Sequence, residues 1–110
     1  MTLPGSAKAV VEERKISGYL MNTAHPDGVS KARFFRSRGY REDDWETIAD
    51  DLRRHGRENE VAGVAESPYG TRYVVEGPLQ TPGGDSVLMI TVWIIETGKD
   101  APRLVTAYPA

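Results

Sequence analysis

Apolar residues recur along the 110-residue chain in two rhythms, and the change falls near its middle. Between Asp43 and His55, the residues Trp45, Ile48, Ala49 and Leu52 stand at i, i+3, i+4 and i+7. That spacing predicts a helix with one apolar stripe, lying on a sheet. Asp43, with Glu46 three residues on, reads as an aspartate form of the capping box. Arg53, Arg54 and His55 close the last turn before Gly56, so His55 is read as a group that satisfies the helix dipole. A second helix is expected from Val29 to Arg38, capped by Asp27 or Ser30 and ended by Gly39. The stretch VVEERKISGYLM, residues 10–21, fits either a short helix or an extended lead-in, because Gly18 interrupts it. Pro4, Gly5 and Ser6 set residues 1–14 apart as a loosely ordered N-terminus, with one α+β domain over residues 15–110.

In the second half the period shortens to that of strands. Glu60–Glu66 alternates weakly, and Ser67-Pro68-Tyr69-Gly70 has the composition of a turn. Thr71–Glu76, rich in β-branched and aromatic residues, is a second strand that Pro78 is expected to end. After the reversal at Pro82-Gly83-Gly84-Asp85, residues 86–97 (SVLMITVWIIET) form the longest apolar run, a central strand buried on both faces. Arg103–Tyr108 makes a last strand. Helices first and four strands after predict an α+β fold, with the N-terminal helices packed on a four-stranded, mainly antiparallel sheet.

Composition narrows the chemistry more than the fold. The chain has no cysteine, which removes thiol catalysis, cysteine zinc sites and disulfide frameworks together. Its first residues carry no secretory or transit pattern, so a cytoplasmic location is the default expectation. Net charge is −2, against bulk electrostatic coating of nucleic acid. The distribution says more: Lys31, Arg33, Arg36, Arg38 and Arg41 fall together with no acid among them, and Glu42-Asp43-Asp44 follows. A basic patch on a mildly acidic protein suits one phosphate or a few.

No nucleophile elbow is present, the two histidines are thirty residues apart, and the glycines near position 83 lead into no helix. Metal-free attack on a phosphodiester remains. It needs a base for the 2′-hydroxyl proton, an acid for the leaving 5′-oxygen, and cations for the charge growing at phosphorus. His25 titrates near neutral pH and can act as base or acid. Lys31 follows in the first turn of a helix, where free backbone N–H groups favour an anion. Alternation puts Thr91 and Trp93 on one face of the central strand, and Thr106 and Tyr108 on one face of the last. If those strands pair in register, the four line one surface, and Arg72 or Tyr73 from the neighbouring strand joins them. The blander readings are a loop histidine, a solvated basic helix, a β-forming threonine and a core tryptophan.

The blocks KISGYLMNTAHPDGVSKARFF, ESPYGTRYVVEGPL, TVWIIETG and PRLVTAYP, spanning Lys15 to Pro109, resemble an uncharacterised family of small bacterial toxin-like domains. That family is grouped by resemblance with the metal-independent ribonucleases of the barnase–EndoU–colicin–RelE type. The resemblance implies N-terminal helices on a four-stranded antiparallel sheet, an RNA endonuclease without a cofactor, and the toxin half of a toxin–antitoxin pair. It also implies a small antitoxin protein that masks the site. Carried over by position, it implicates His25, Lys31, Thr91 and Tyr108 in catalysis, with Tyr73, Trp93 and Thr106 beside them. The chain departs from the family pattern at Ile90, where a basic residue often stands; Arg72 or Arg103 is then the candidate replacement. Two other readings stay open from the sequence: a non-enzymatic module that binds protein or nucleic acid, and an enzyme acting on a small phosphorylated molecule.

Overall fold

A computed structural model describes residues 1–22, 24 and 29–110 of the chain, so His25 and the cap candidate Asp27 lie outside the described residues. Among the described residues, three helices, preceded by a 3-10 turn at Ser6–Lys8, pack on one antiparallel sheet, an α+β fold. Helix α1 begins as a single turn, Glu13–Lys15, and widens into a π-helical stretch, Ile16–Leu20, in which Ile16 and Leu20 are buried. Helix α2 spans Val29–Ser37 and α3 spans Trp45–Glu58. Strands β1 (Val61–Ser67), β2 (Gly70–Gln80), β3 (Ser86–Glu96) and β4 (Arg103–Pro109) lie side by side in chain order. Among the described residues no helix is long and apolar enough to cross a membrane.

The α3 stripe is where periodicity places it: Ile48, Ala49 and Leu52 are fully buried, and Trp45 packs at the margin of the core. Its ends differ from expectation. The N-cap is Asp44, whose carboxylate accepts from the Thr47 N–H at 3.4 Å and from the Thr47 hydroxyl at 2.7 Å. Asp43 instead takes the Arg41 guanidinium through two bonds, at 2.9 and 3.0 Å. The helix also runs through Gly56, because glycine there meets the Trp93 indole: an added Cβ would sit 2.8 Å from the ring. Asn59 closes the helix by donating to the His55 carbonyl at 3.0 Å.

Helix α2 ends as its glycine predicts. Gly39 takes φ +95°, and the N–H groups of Gly39 and Tyr40 return to the carbonyls of Arg36 and Phe35, each at 3.1 Å.

Strand β2 does not stop at Pro78. It continues to Gln80 because β1 pairs no further along it than Val75, so Pro78 lies where β2 has β3 alone as neighbour. Its missing N–H then costs no ladder bond. In β3, Met89, Thr91 and Trp93 face the helices, so Ile94 points to the other side of the sheet rather than beneath α3. The first residues, expected to be loosely ordered, contribute to the core. Leu3 and Val11 are buried, Thr2 bridges to Glu60, and Val10 pairs with Arg103 alongside β4. Burial of Leu3 and Val11 and the backbone pairing of Val10 outweigh the turn residues between them.

Candidate functional site at the edge of the last strand

The π-helical end of α1 presents Tyr19 toward β4, where its phenol lies 3.3 Å from the Thr106 hydroxyl. Two cations lie over the same ring. The ammonium of Lys15, one turn earlier, is 5.5 Å from the ring centroid, and that of Lys31, in the first turn of α2, is 5.3 Å from it. At such distances the ring quadrupole attracts each ammonium group. Beside the ring opens a cavity of about 210 Å³, lined by Glu12, Arg14, Lys15, Tyr19 and Arg103.

Arg103 is held across this edge. Its Nε and Nη2 donate to one Glu96 oxygen at 3.0 and 2.8 Å, and Nη1 reaches Glu12 at 3.5 Å. The hydrogen bond and then the charge of Arg103 keep the Glu96 carboxyl below its ordinary range. Glu12 also reaches Arg14 at 3.2 Å. The local balance is basic: Arg14, Lys15, Lys31 and Arg103 against Glu12 and Glu96.

Thr91 and Trp93 lie elsewhere, fully buried beneath α3. The Trp93 indole donates to the Thr91 oxygen at 2.9 Å, and that oxygen is 2.9 Å from His55 Nδ1. His55 Nε2 lies 3.0 Å from each of the Gly77 and Met89 carbonyls. Only one tautomer satisfies every partner. Nε2 carries the hydrogen and donates to the carbonyls, while Nδ1 accepts from the threonine hydroxyl. Burial, partly offset by those two carbonyls, holds the imidazole pKa below its ordinary value. His55 is therefore a core hydrogen-bonding residue rather than a charge at a helix end. The stripe itself carries the signal for it, since His55 follows Leu52 at i+3.

The register explains why the four predicted wall residues do not share a surface. Thr91 pairs with Ala107, whereas Thr106 pairs with Val92 and Tyr108 with Ile90, with a register shift between Val92 and Trp93. Tyr108 is therefore out of step with Thr91, and it is 37% exposed. Tyr73 stands opposite Trp93, half-buried against the core. Ile90 faces away from the helices, so a cation in its place would point away from Thr91. Arg72 and Arg103, its candidate replacements, both flank Ile94, from opposite sides. That position is about 13 Å further along the strand. The arrangement brings Lys31, Thr106 and Arg103 to one edge and leaves Arg72 exposed on the far face. Tyr19 and Lys15 completed the cluster without being singled out from the sequence; their signal was the i, i+4 spacing of a lysine and a tyrosine ahead of Lys31.

The molecule is thus a small α+β domain with a basic, tyrosine-centred cluster at the outer edge of its sheet. The chain belongs to the family described as a domain of unknown function, DUF6883, whose model matches residues 2–110. Among solved structures it is similar in fold to a chain of a contact-dependent growth inhibition toxin–immunity protein complex from Klebsiella pneumoniae 342. The TM-score is 0.73 at 16% identity, over 96% of each chain. No curated protein matches it by sequence.

Proposed function

We propose that this domain is the toxin half of a toxin–immunity pair and that it cuts RNA by metal-independent transesterification. The observation that carries the reading is the pair of lysines over Tyr19, whose phenol meets Thr106 at the β4 edge. His25 belongs to the stretch of chain between the helices that carry Tyr19 and Lys31. The fold likeness to a chain of a toxin–immunity complex supports the biological class.

In this reading the 2′-oxygen attacks phosphorus, the bond from phosphorus to the 5′-oxygen breaks, and a 2′,3′-cyclic phosphate and a 5′-hydroxyl result. His25 takes the 2′-hydroxyl proton or delivers one to the leaving 5′-oxygen. Lys15 and Lys31 offset the charge that grows on the non-bridging oxygens. The Tyr19 and Thr106 hydroxyls supply a donor for the same oxygens. Thr91 and Trp93 act at a distance, by fixing β3 under α3, while Tyr108 and Arg72 sit where they can meet RNA or a partner outside the cluster. A small immunity protein would cover this basic edge with acidic groups.

Incubating the purified protein with total RNA in EDTA tests the reading. Fragments ending in 2′,3′-cyclic phosphate are expected. Salt-dependent RNA binding with no such ends would replace the nuclease by a non-enzymatic binding module.

A further inference from the structure

The cavity beside Tyr19 has a neighbour. A second cavity of about 310 Å³ is lined by Val10, Glu12, Glu96, Lys99, Ala101 and Arg103, and it shares Glu12 and Arg103 with the first. Arg103 is thus the saddle between two lobes that follow the β4 edge, with its side chain about one-third exposed (34%). The lobes differ in character. The Tyr19 lobe offers Lys15 and Arg14, with Lys31 over the Tyr19 ring, and suits phosphate, whereas the second has apolar walls in Val10 and Ala101, with Lys99 among its lining residues.

We infer that the second lobe takes a nucleotide adjacent to the scissile phosphate, with its base laid on the Arg103 guanidinium between Val10 and Ala101. The inference rests on the nuclease reading and extends it from a reacting phosphate to a single-stranded RNA path at least two lobes long. Three features support it. Guanidinium planes and apolar walls are what unpaired bases stack on. Glu96 and Glu12 already hold the Arg103 guanidinium, so little side-chain freedom is lost when a base covers it. Arg14 and Lys15 line the first lobe, Lys99 the second and Arg103 both, so cations stand in each lobe, as backbone tracking requires. Duplex RNA, with its bases paired, has none to place in the lobe.

Binding of 2′-O-methylated oligonucleotides, which cannot undergo the transesterification, reads the lobe directly. The parent should bind a single-stranded trinucleotide about tenfold more tightly than a dinucleotide, the scale of one stacked base. Ala101→Trp, which fills the lobe, should bring that ratio close to one. Lys99→Glu, a surface change that leaves the apolar walls intact, should lower it severalfold. RNA cleavage measured in parallel separates the two ideas. A protein that cleaves RNA but keeps its length preference in both variants overturns the second lobe and leaves the nuclease standing. Length-dependent binding lost in Ala101→Trp, without cleavage by the parent, keeps the lobe and overturns the nuclease. A parent with no preference for the longer oligonucleotide overturns the lobe outright.

Discussion

Two polar clusters, at opposite ends of the burial scale, organise this domain. Beneath α3, Trp93, Thr91 and His55 form a chain of hydrogen bonds that runs in one direction and ends on two backbone carbonyls. At the β4 edge, Lys15, Lys31, Tyr19 and Thr106 gather around one ring with solvent beside them. The first has every partner it needs inside the protein: His55 lines a small cavity of about 150 Å³, but both of its ring nitrogens are already bonded within the core. The second holds excess positive charge and borders a cavity. Residue types do not separate them, since each has a hydroxyl, an aromatic ring and titratable nitrogen. Accessibility and charge balance do: the closed, internally satisfied cluster suits stability, and the open, basic one is where the proposed reading puts anion recognition.

Mutations can break that contrast. The largest stability effect is expected below the buried cluster, where Leu52 is fully enclosed. Leu52→Ala should cost about 2–5 kcal/mol in urea unfolding. Thr91→Val keeps the shape but leaves the Trp93 N–H and His55 Nδ1 without a partner. It should cost about 1–3 kcal/mol.

Acid should reveal the same cluster. Native His55 binds its proton less readily than the unfolded chain, whose ordinary pKa is 6.5, because burial disfavours the imidazolium. Its contribution is thus fully present above pH 6.5 and is lost as pH falls from there toward the lowered native value. Denaturation at pH 7.5 and 5.5 should show the parent less stable in acid, with a smaller difference in His55→Gln. An imidazole that titrates at its ordinary value in the folded protein would contradict this. The smallest effect belongs to the open cluster: Lys31→Ala should reduce the salt dependence of RNA binding by about one phosphate contact while leaving the melting temperature within a few degrees.

The parts legible in the sequence were those set by periodicity within one element. The α3 stripe and the four strands follow from spacing alone, and the resemblance drew attention to Lys31 and Thr106 before their neighbours were known. What stayed hidden depends on contacts between elements. Asp43 and Asp44 are equally good caps by composition, and Arg41 and Thr47 decide between them. Gly56 looks like a terminator until the Trp93 indole stands against it. Alternation sorts the two faces of each strand but not the pairing between strands. One step of register moved Thr106 and Tyr108 out of line with Thr91. Tyr19 was missed because a π-helical turn, not a regular one, aims it at β4.

On the proposed reading, chemistry belongs to the open edge and not to the buried threonine. Single-turnover cleavage of a single-stranded RNA in EDTA, comparing His25→Ala with Thr91→Val at a temperature where both are folded, tests it most directly. His25→Ala should lose about 10²–10⁴ in rate, the usual worth of a positioned acid or base. Thr91→Val should cleave within a fewfold of the parent. The opposite pattern, with Thr91→Val inactive and His25→Ala as fast as the parent, would put the chemistry at the buried threonine instead.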